Sequence, residues 1–226
     1  MEMGSYGSLR TGDYRRDEVV DPFVDLLGVE SRAGKHSSDD SNMTTSTSLY
    51  EIPVEKIDGA AATLKEHSGE VLLVVNVASK CGLTPQYEGL EALQKKFSGR
   101  KFSVLGFPAN DFAGQEPGSN ADIQQFCTTQ FGVTFPMYGK IGVTGPNKHP
   151  LYRYLTTQLP ETEDRESMET KLRSYKMEPT SKPEVVWNFE KFLISRRGEV
   201  VRRFAPGTGP DDPRLTAAIE AELAKA

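Results

Sequence analysis

The run Val71-Leu72-Leu73-Val74-Val75-Asn76-Val77-Ala78 is almost wholly apolar and lacks the alternation of a half-buried strand. Its length falls far short of a membrane span, so it predicts a buried strand. Small residues, Cys81 and then Thr84-Pro85 follow, the start of a helix. Tyr87, Leu90, Leu93 and Phe97 share one helical face, and the pattern stops near Ser98-Gly99. Lys101 to Phe107 makes a second apolar strand. Together these segments predict a right-handed strand-helix-strand crossover with two parallel strands.

The other elements are read in the same way. Tyr50–Ile57 and Ala60–Leu64 flank Asp58-Gly59, a strong short hairpin signal. Ser119, with Asp122 three residues on, predicts a capped helix that puts Ile123, Phe126, Cys127 and Gln130 on one face. Phe135-Pro136-Met137-Tyr138 is expected to open a further strand, and His149-Pro150 a helix in which His149 bonds structurally. Residues 160–183 are charged and read as an irregular surface insertion. Trp187–Ile194 and Glu199–Phe204 form a hairpin about Arg197-Gly198, and Asp212-Pro213 caps a last helix.

Before Tyr50 the pattern disappears. Residues 1–48 are rich in Gly, Ser, Asp and Arg, and too few are apolar to offset the entropy of ordering them. They are expected to be a disordered extension, with Val19–Leu27 a transient helix or docking segment, followed by one folded domain over 49–226. Five basic and nine acidic residues fall in 1–42 and account for most of the net charge of -5. The rest is close to neutral, with no basic field for nucleic acid or anionic lipid. No signal pattern is present, and mean hydropathy is -0.49. A soluble, cytoplasmic protein is expected, and a monomer is favoured.

Two cysteines in 226 residues do not make a disulfide framework. Neither they nor His36, His67 and His149 have the spacing of metal ligands, so no metal or cofactor is expected. Cys81 differs from Cys127 in its surroundings. A cysteine between a buried strand and a helix start lies near unsatisfied amides and the positive end of a helix dipole, with Lys80 adding charge of the same sense. Such surroundings favour a thiolate, hence a nucleophile at neutral pH. An inert buried cysteine is the alternative.

Four motifs narrow the choice: Asn76-Val77-Ala78-Ser79-Lys80-Cys81-Gly82, Gly106-Phe107-Pro108, Gly114-Gln115-Glu116-Pro117-Gly118 and Trp187-Asn188-Phe189-Glu190-Lys191-Phe192. In this order the chain resembles the glutathione peroxidase family over Tyr50 to Lys225. The resemblance implies an α/β thioredoxin fold, a mixed central sheet flanked by helices. It makes Cys81 the peroxidatic cysteine and puts Gln115, Trp187 and Asn188 around its sulfur. Their N–H groups can donate to a thiolate and to the oxygen leaving a split peroxide. Cys127 matches the resolving cysteine of the family's two-cysteine members. It would condense with a Cys81 sulfenic acid to a disulfide that thioredoxin reduces. Since Cys127 lies on a helix face, that helix is expected to unwind locally to bring the pair within disulfide reach.

Two positions depart from the family pattern. Ala109 stands where many relatives carry a third cysteine, and Asp111 where Gln or Thr is usual; a solvated loop carboxylate is expected there. The substrates implied are hydrogen peroxide and organic hydroperoxides. Rival readings are a glutathione-dependent one-cysteine peroxidase and a peroxide sensor or relay using Cys81. A thioredoxin-type oxidoreductase would need a cysteine in place of Thr84.

Overall fold

Val71–Val77 and Phe102–Pro108 form strands β3 and β4, and every residue of both is buried. A strand covered on both faces has no polar side, which is why each reads as a continuous apolar run. The two pair in parallel, from Val71 opposite Phe102 to Val77 opposite Pro108. Helix α1 (Gln86–Lys96) connects them, and its Tyr87, Leu90 and Leu93 pack with the odd-numbered residues of β3. Leu72 and Val74 point the other way, into a second apolar cluster with Leu151, Tyr152 and Leu155.

The computed structural model describes residues 48–225. The extension expected over 1–48, with its Val19–Leu27 segment, lies outside them apart from Ser48. The described elements begin with a separate hairpin, β1 (Pro53–Glu55) and β2 (Ala61–Thr63), closed through Gly59 at φ +89°. After β4 come α2 (Asn120–Phe131), α3 (Pro150–Gln158) and α4 (Arg165–Ser174). Then follow β5 (Lys191–Ile194), β6 (Val200–Phe204) and α5 (Pro213–Ala224). The main sheet has the order β4-β3-β5-β6, with β5 antiparallel to both neighbours. This mixed sheet flanked by helices is the thioredoxin fold. No helix among the described residues is long and apolar enough to cross a membrane.

Three local expectations are corrected. Phe135–Tyr138 is not a strand but makes single bridges, Met137 to Gly106 and Tyr138 to Lys56. Residues 160–183 contain α4, with Arg165, Met168 and Leu172 buried. On α2, Gln130 is exposed, and only Ile123 and Cys127 are buried.

His149 is the N-cap of α3, and its Nδ1 accepts the Leu151 N–H at 3.1 Å. This is the structural role its place before a proline predicts.

The segment leading into β5 is held by a buried ion pair. Glu190 and Arg203 are both wholly enclosed, with Nε to Oε1 at 2.6 Å. Glu190 also accepts the Thr162 hydroxyl at 3.0 Å and the Val186 N–H at 2.7 Å. Arg203 donates further to the carbonyls of Leu159, Pro160 and Glu184. Such a pair is tolerable in a core only because the remaining donors and acceptors are matched. It fastens residues 184–190, which carry Trp187 and Asn188, to the sheet.

Candidate active site

The turn after β3 is built by Thr84. Its Oγ1 accepts the Cys81 N–H at 3.0 Å and donates to the Ala78 carbonyl at 2.8 Å. The Cys81 sulfur receives the Leu83 N–H at 3.4 Å. α1 starts only at Gln86, so the donor to sulfur is a turn amide and not one from the first turn of the helix. At 8% exposure Cys81 is covered but lies close to solvent, whereas Cys127 is at 1%.

Asn76 carries the second segment. Its carboxamide accepts the Glu190 N–H and donates to the Trp187 carbonyl, both at 3.1 Å, while its own carbonyl takes the Phe189 N–H. Phe189 sits at φ +69°, a left-handed conformation that a non-glycine residue adopts only when its surroundings enforce it. The buried Lys191 ammonium adds a bond to the Phe189 carbonyl at 2.7 Å, and burial pulls this amine down to about 7. These bonds close the Trp187–Glu190 turn at the carboxyl end of β3.

The third segment follows β4. Ala113 and Gly114 both have positive φ, which folds the chain back tightly enough to bring Gln115 toward β3. The Gln115 carbonyl accepts the Lys80 N–H at 3.0 Å, and its Oε1 accepts from Asn188 Nδ2 at 3.0 Å. Phe112 lies against the Trp187 ring with centroids 5.1 Å apart. Three segments thus meet at one end of the sheet: Gln115 is tied to Lys80 beside Cys81 through the main chain and to Asn188 through its side chain, and Trp187 rests on Phe112.

Cys127 stays apart on α2, and both cysteines are free thiols. Burial pushes the Cys127 thiol up to about 11, and the Tyr87 hydroxyl beside it is the group that opposes the shift. Between the Cys81 turn and α2 runs a groove of about 440 Å³, lined by Ser79, Lys80, Glu116, Pro117, Ile123 and Phe126 among others. Ala109 is buried, with its N–H on the Val77 carbonyl. The Asp111 carboxylate is not merely solvated: it accepts the Val143 N–H at 2.9 Å, and burial holds its pKa above the usual range.

A family model described as glutathione peroxidase matches residues 49–156. Thioredoxin/glutathione peroxidase BtuE of Escherichia coli (strain K12) is 47% identical over 180 residues, covering 79% of this chain and 98% of that protein. The chain belongs to the glutathione peroxidase family. As a member of it, the protein is a peroxidase. The hydroperoxy fatty acid reductase gpx1 of Synechocystis (strain ATCC 27184 / PCC 6803 / Kazusa) is 43% identical over 164 residues, 73% of this chain and 90% of the relative. Among solved structures, the crystal structure of T. cruzi GPX1 superposes with a TM-score of 0.58 at 34% identity, covering 78% of this chain and 97% of that chain.

The role of Thr84, and that of Asn76, were not legible in the sequence of this peroxidase beyond one signal. A carboxamide inside the run Val71–Val77 is a polar residue that a buried strand must satisfy, and its partners turn out to be the Trp187–Glu190 turn.

Proposed function

We infer that this chain is a thiol peroxidase that reduces hydrogen peroxide and organic hydroperoxides at Cys81, with Cys127 as resolving residue and thioredoxin as reductant. The observation that carries the reading is that Gln115, whose main-chain carbonyl holds the Lys80 N–H next to Cys81, is hydrogen-bonded through its side chain to Asn188. The Cys81 thiolate attacks the peroxide O–O bond. Its sulfur takes one oxygen and becomes a sulfenic acid, and the other oxygen leaves as water or an alcohol. Amide and indole N–H groups from Gln115, Asn188 and Trp187 supply hydrogen bonds to the leaving oxygen, each worth about 3 kcal/mol when prealigned. Cys127 then displaces water from the sulfenic acid to give a disulfide, and thiol exchange with thioredoxin restores both thiols. The names of the relatives agree with this scheme: one is a thioredoxin/glutathione peroxidase and another a hydroperoxy fatty acid reductase. A cycle that starts and ends with two free thiols suits a reducing compartment, and we read the protein as cytoplasmic.

Coupled assays with peroxide, following NADPH through thioredoxin and its reductase or glutathione and its reductase, test the reading. Turnover with thioredoxin is expected for the parent and lost in Cys127→Ser. Glutathione-driven turnover that survives Cys127→Ser would instead favour a one-cysteine peroxidase. Oxidation of Cys81 without sustained turnover in either system would favour a sensor.

Resolution requires α2 to open, because Cys127 is enclosed within it. The Ser119–Asp122 capping box, with Ser119 Oγ accepting the Asp122 N–H at 3.2 Å and Asp122 Oδ2 accepting the Ser119 N–H at 2.9 Å, holds the start of that helix. Ser119→Ala is expected to cost about 1 kcal/mol. If that loss falls on the opening of α2, disulfide formation after peroxide addition speeds up by about fivefold. Equal rates in parent and variant would show that α2 opening does not limit resolution.

A further inference from the structure

The resolving step, as read above, leaves a chemical problem. With α2 closed, burial holds the Cys127 thiol at about 11, and even when the helix opens and relieves that burial, a thiol of about 8.5 is still mostly protonated at pH 7, while it is the thiolate that attacks. A group is needed to take the proton. Glu116 lies between the two cysteine-bearing segments and is wholly buried. On one side its Oε2 accepts the Ser79 hydroxyl at 3.1 Å, two residues before Cys81. On the other it lines the groove with Ile123, one helical turn before Cys127, and Phe126, next to it. Its second oxygen, Oε1, is enclosed with no hydrogen-bond partner among the described residues. An unmatched buried carboxylate oxygen is costly, and a stability argument gives no reason to keep one.

We propose that Glu116 is the proton acceptor for Cys127 in disulfide formation, a deepening of the two-cysteine reading on which it rests. As α2 opens, the Cys127 proton passes to the Glu116 carboxylate and the thiolate attacks the Cys81 sulfenic sulfur. The new S–S bond forms as the S–O bond breaks, and the departing hydroxide takes the proton back from Glu116. The step consumes one sulfenic acid and one thiol and gives one disulfide and one water, with Glu116 returned as carboxylate. Burial holds Glu116 above the ordinary carboxylate range, which makes it a better base than an exposed glutamate. The groups facing it are Ser79, Lys140, whose Nζ donates to the Glu116 carbonyl at 2.9 Å, and Lys80 and Asp122 along the groove; Tyr87 faces Cys127. Lys80 and Lys140 favour the charged carboxylate and so keep it available to accept.

The test is Glu116→Gln, which keeps the shape and an acceptor for Ser79 but cannot take a proton. Reduced full-length protein is mixed with one equivalent of hydrogen peroxide between pH 5 and 9, quenched in acid, alkylated and analysed by peptide mass for the Cys81–Cys127 disulfide. At pH 7 the variant is expected to form the disulfide about 10²-fold more slowly than the parent. The parent rate levels off once Glu116 is ionised, whereas the variant rate keeps climbing by about tenfold per pH unit until the opened Cys127 thiol itself ionises at about 8.5, so the gap narrows toward pH 9. Glu116→Asp is expected to restore a levelling profile. Disulfide formation at the parent rate would overturn the proposal, and so would a slowing by the same factor at every pH, the sign of a packing role. Should Glu116→Gln not fold, the profile of Glu116→Asp decides alone: a steady climb with no plateau overturns it. A parent that forms no Cys81–Cys127 disulfide would sink the two-cysteine reading and this proposal together, whereas a normal parent disulfide with an unaffected variant sinks only the proton role.

Discussion

Cys81→Ser is expected to lower peroxide turnover at least about 10³-fold with either reductant, and to leave no single-oxygen adduct on residue 81. The hydroxyl occupies nearly the same space, so the 8% exposed site should fold as before. What is lost is the chemistry. Serine is not ionised at neutral pH, is a far poorer nucleophile toward an O–O bond, and has no counterpart to the sulfenic acid stage. The Leu83 N–H that reaches sulfur at 3.4 Å remains in place, as do the Gln115–Asn188 pair and the Thr84 bonds of the turn. The variant therefore separates nucleophile from scaffold. The measurements are NADPH consumption in the coupled assays and peptide mass after peroxide treatment; turnover within tenfold of the parent would remove Cys81 from the mechanism.

Glu190→Ala is expected to destabilise the protein by about 3–5 kcal/mol, because it strands the wholly enclosed Arg203 guanidinium without its counter-charge. The Thr162 hydroxyl and the Val186 N–H lose their acceptor in the same step. For a domain of this size the fall in Tm by calorimetry is about 10 °C. Replacing both partners by apolar residues, Glu190→Leu with Arg203→Met, should recover much of the loss, since no charge is then left buried and unpaired. A single variant within 1 kcal/mol of the parent would mean that Arg203 finds compensation in the Leu159, Pro160 and Glu184 carbonyls alone.

Where side chains reported their own burial, the chain order was enough to find the elements. β3 and β4 are covered on both faces and so read as apolar runs; α1 presents Tyr87, Leu90 and Leu93, with Phe97 at its C-cap, at helical spacing to the sheet. α4 was hidden because its buried face begins with a charge. The Arg165 guanidinium is satisfied by Glu169 and by the carbonyls of Glu184 and Thr180, so a core position looks like a surface one. Phe135–Tyr138 looked like a strand but its backbone bridges β4 only at Gly106, where an added Cβ would fall 2.5 Å from the Met137 sulfur. Close approach at a glycine, with Pro136 lacking a donor, replaces a ladder by a single bridge.

The candidate site divides in the same way. Cys81, Gln115, Trp187 and Asn188 stand in local motifs and could be found one by one. The roles of Asn76 and Glu116 are contacts between segments: Asn76 reaches 111 residues along the chain to Trp187, and Glu116 reaches 37 residues back to Ser79. No local spacing encodes a partner at that distance, and only the fold makes the pairing visible.

Trp187 is the chain's single tryptophan, and it is packed on Phe112 in the turn next to the Gln115–Asn188 pair. Light absorbed selectively by indole is therefore emitted from one place in the molecule, the neighbourhood where the redox chemistry is proposed to occur. The protein carries its own optical reporter: oxidation and reduction can be followed on the millisecond scale in unlabelled material, with no second indole elsewhere in the chain to dilute the signal.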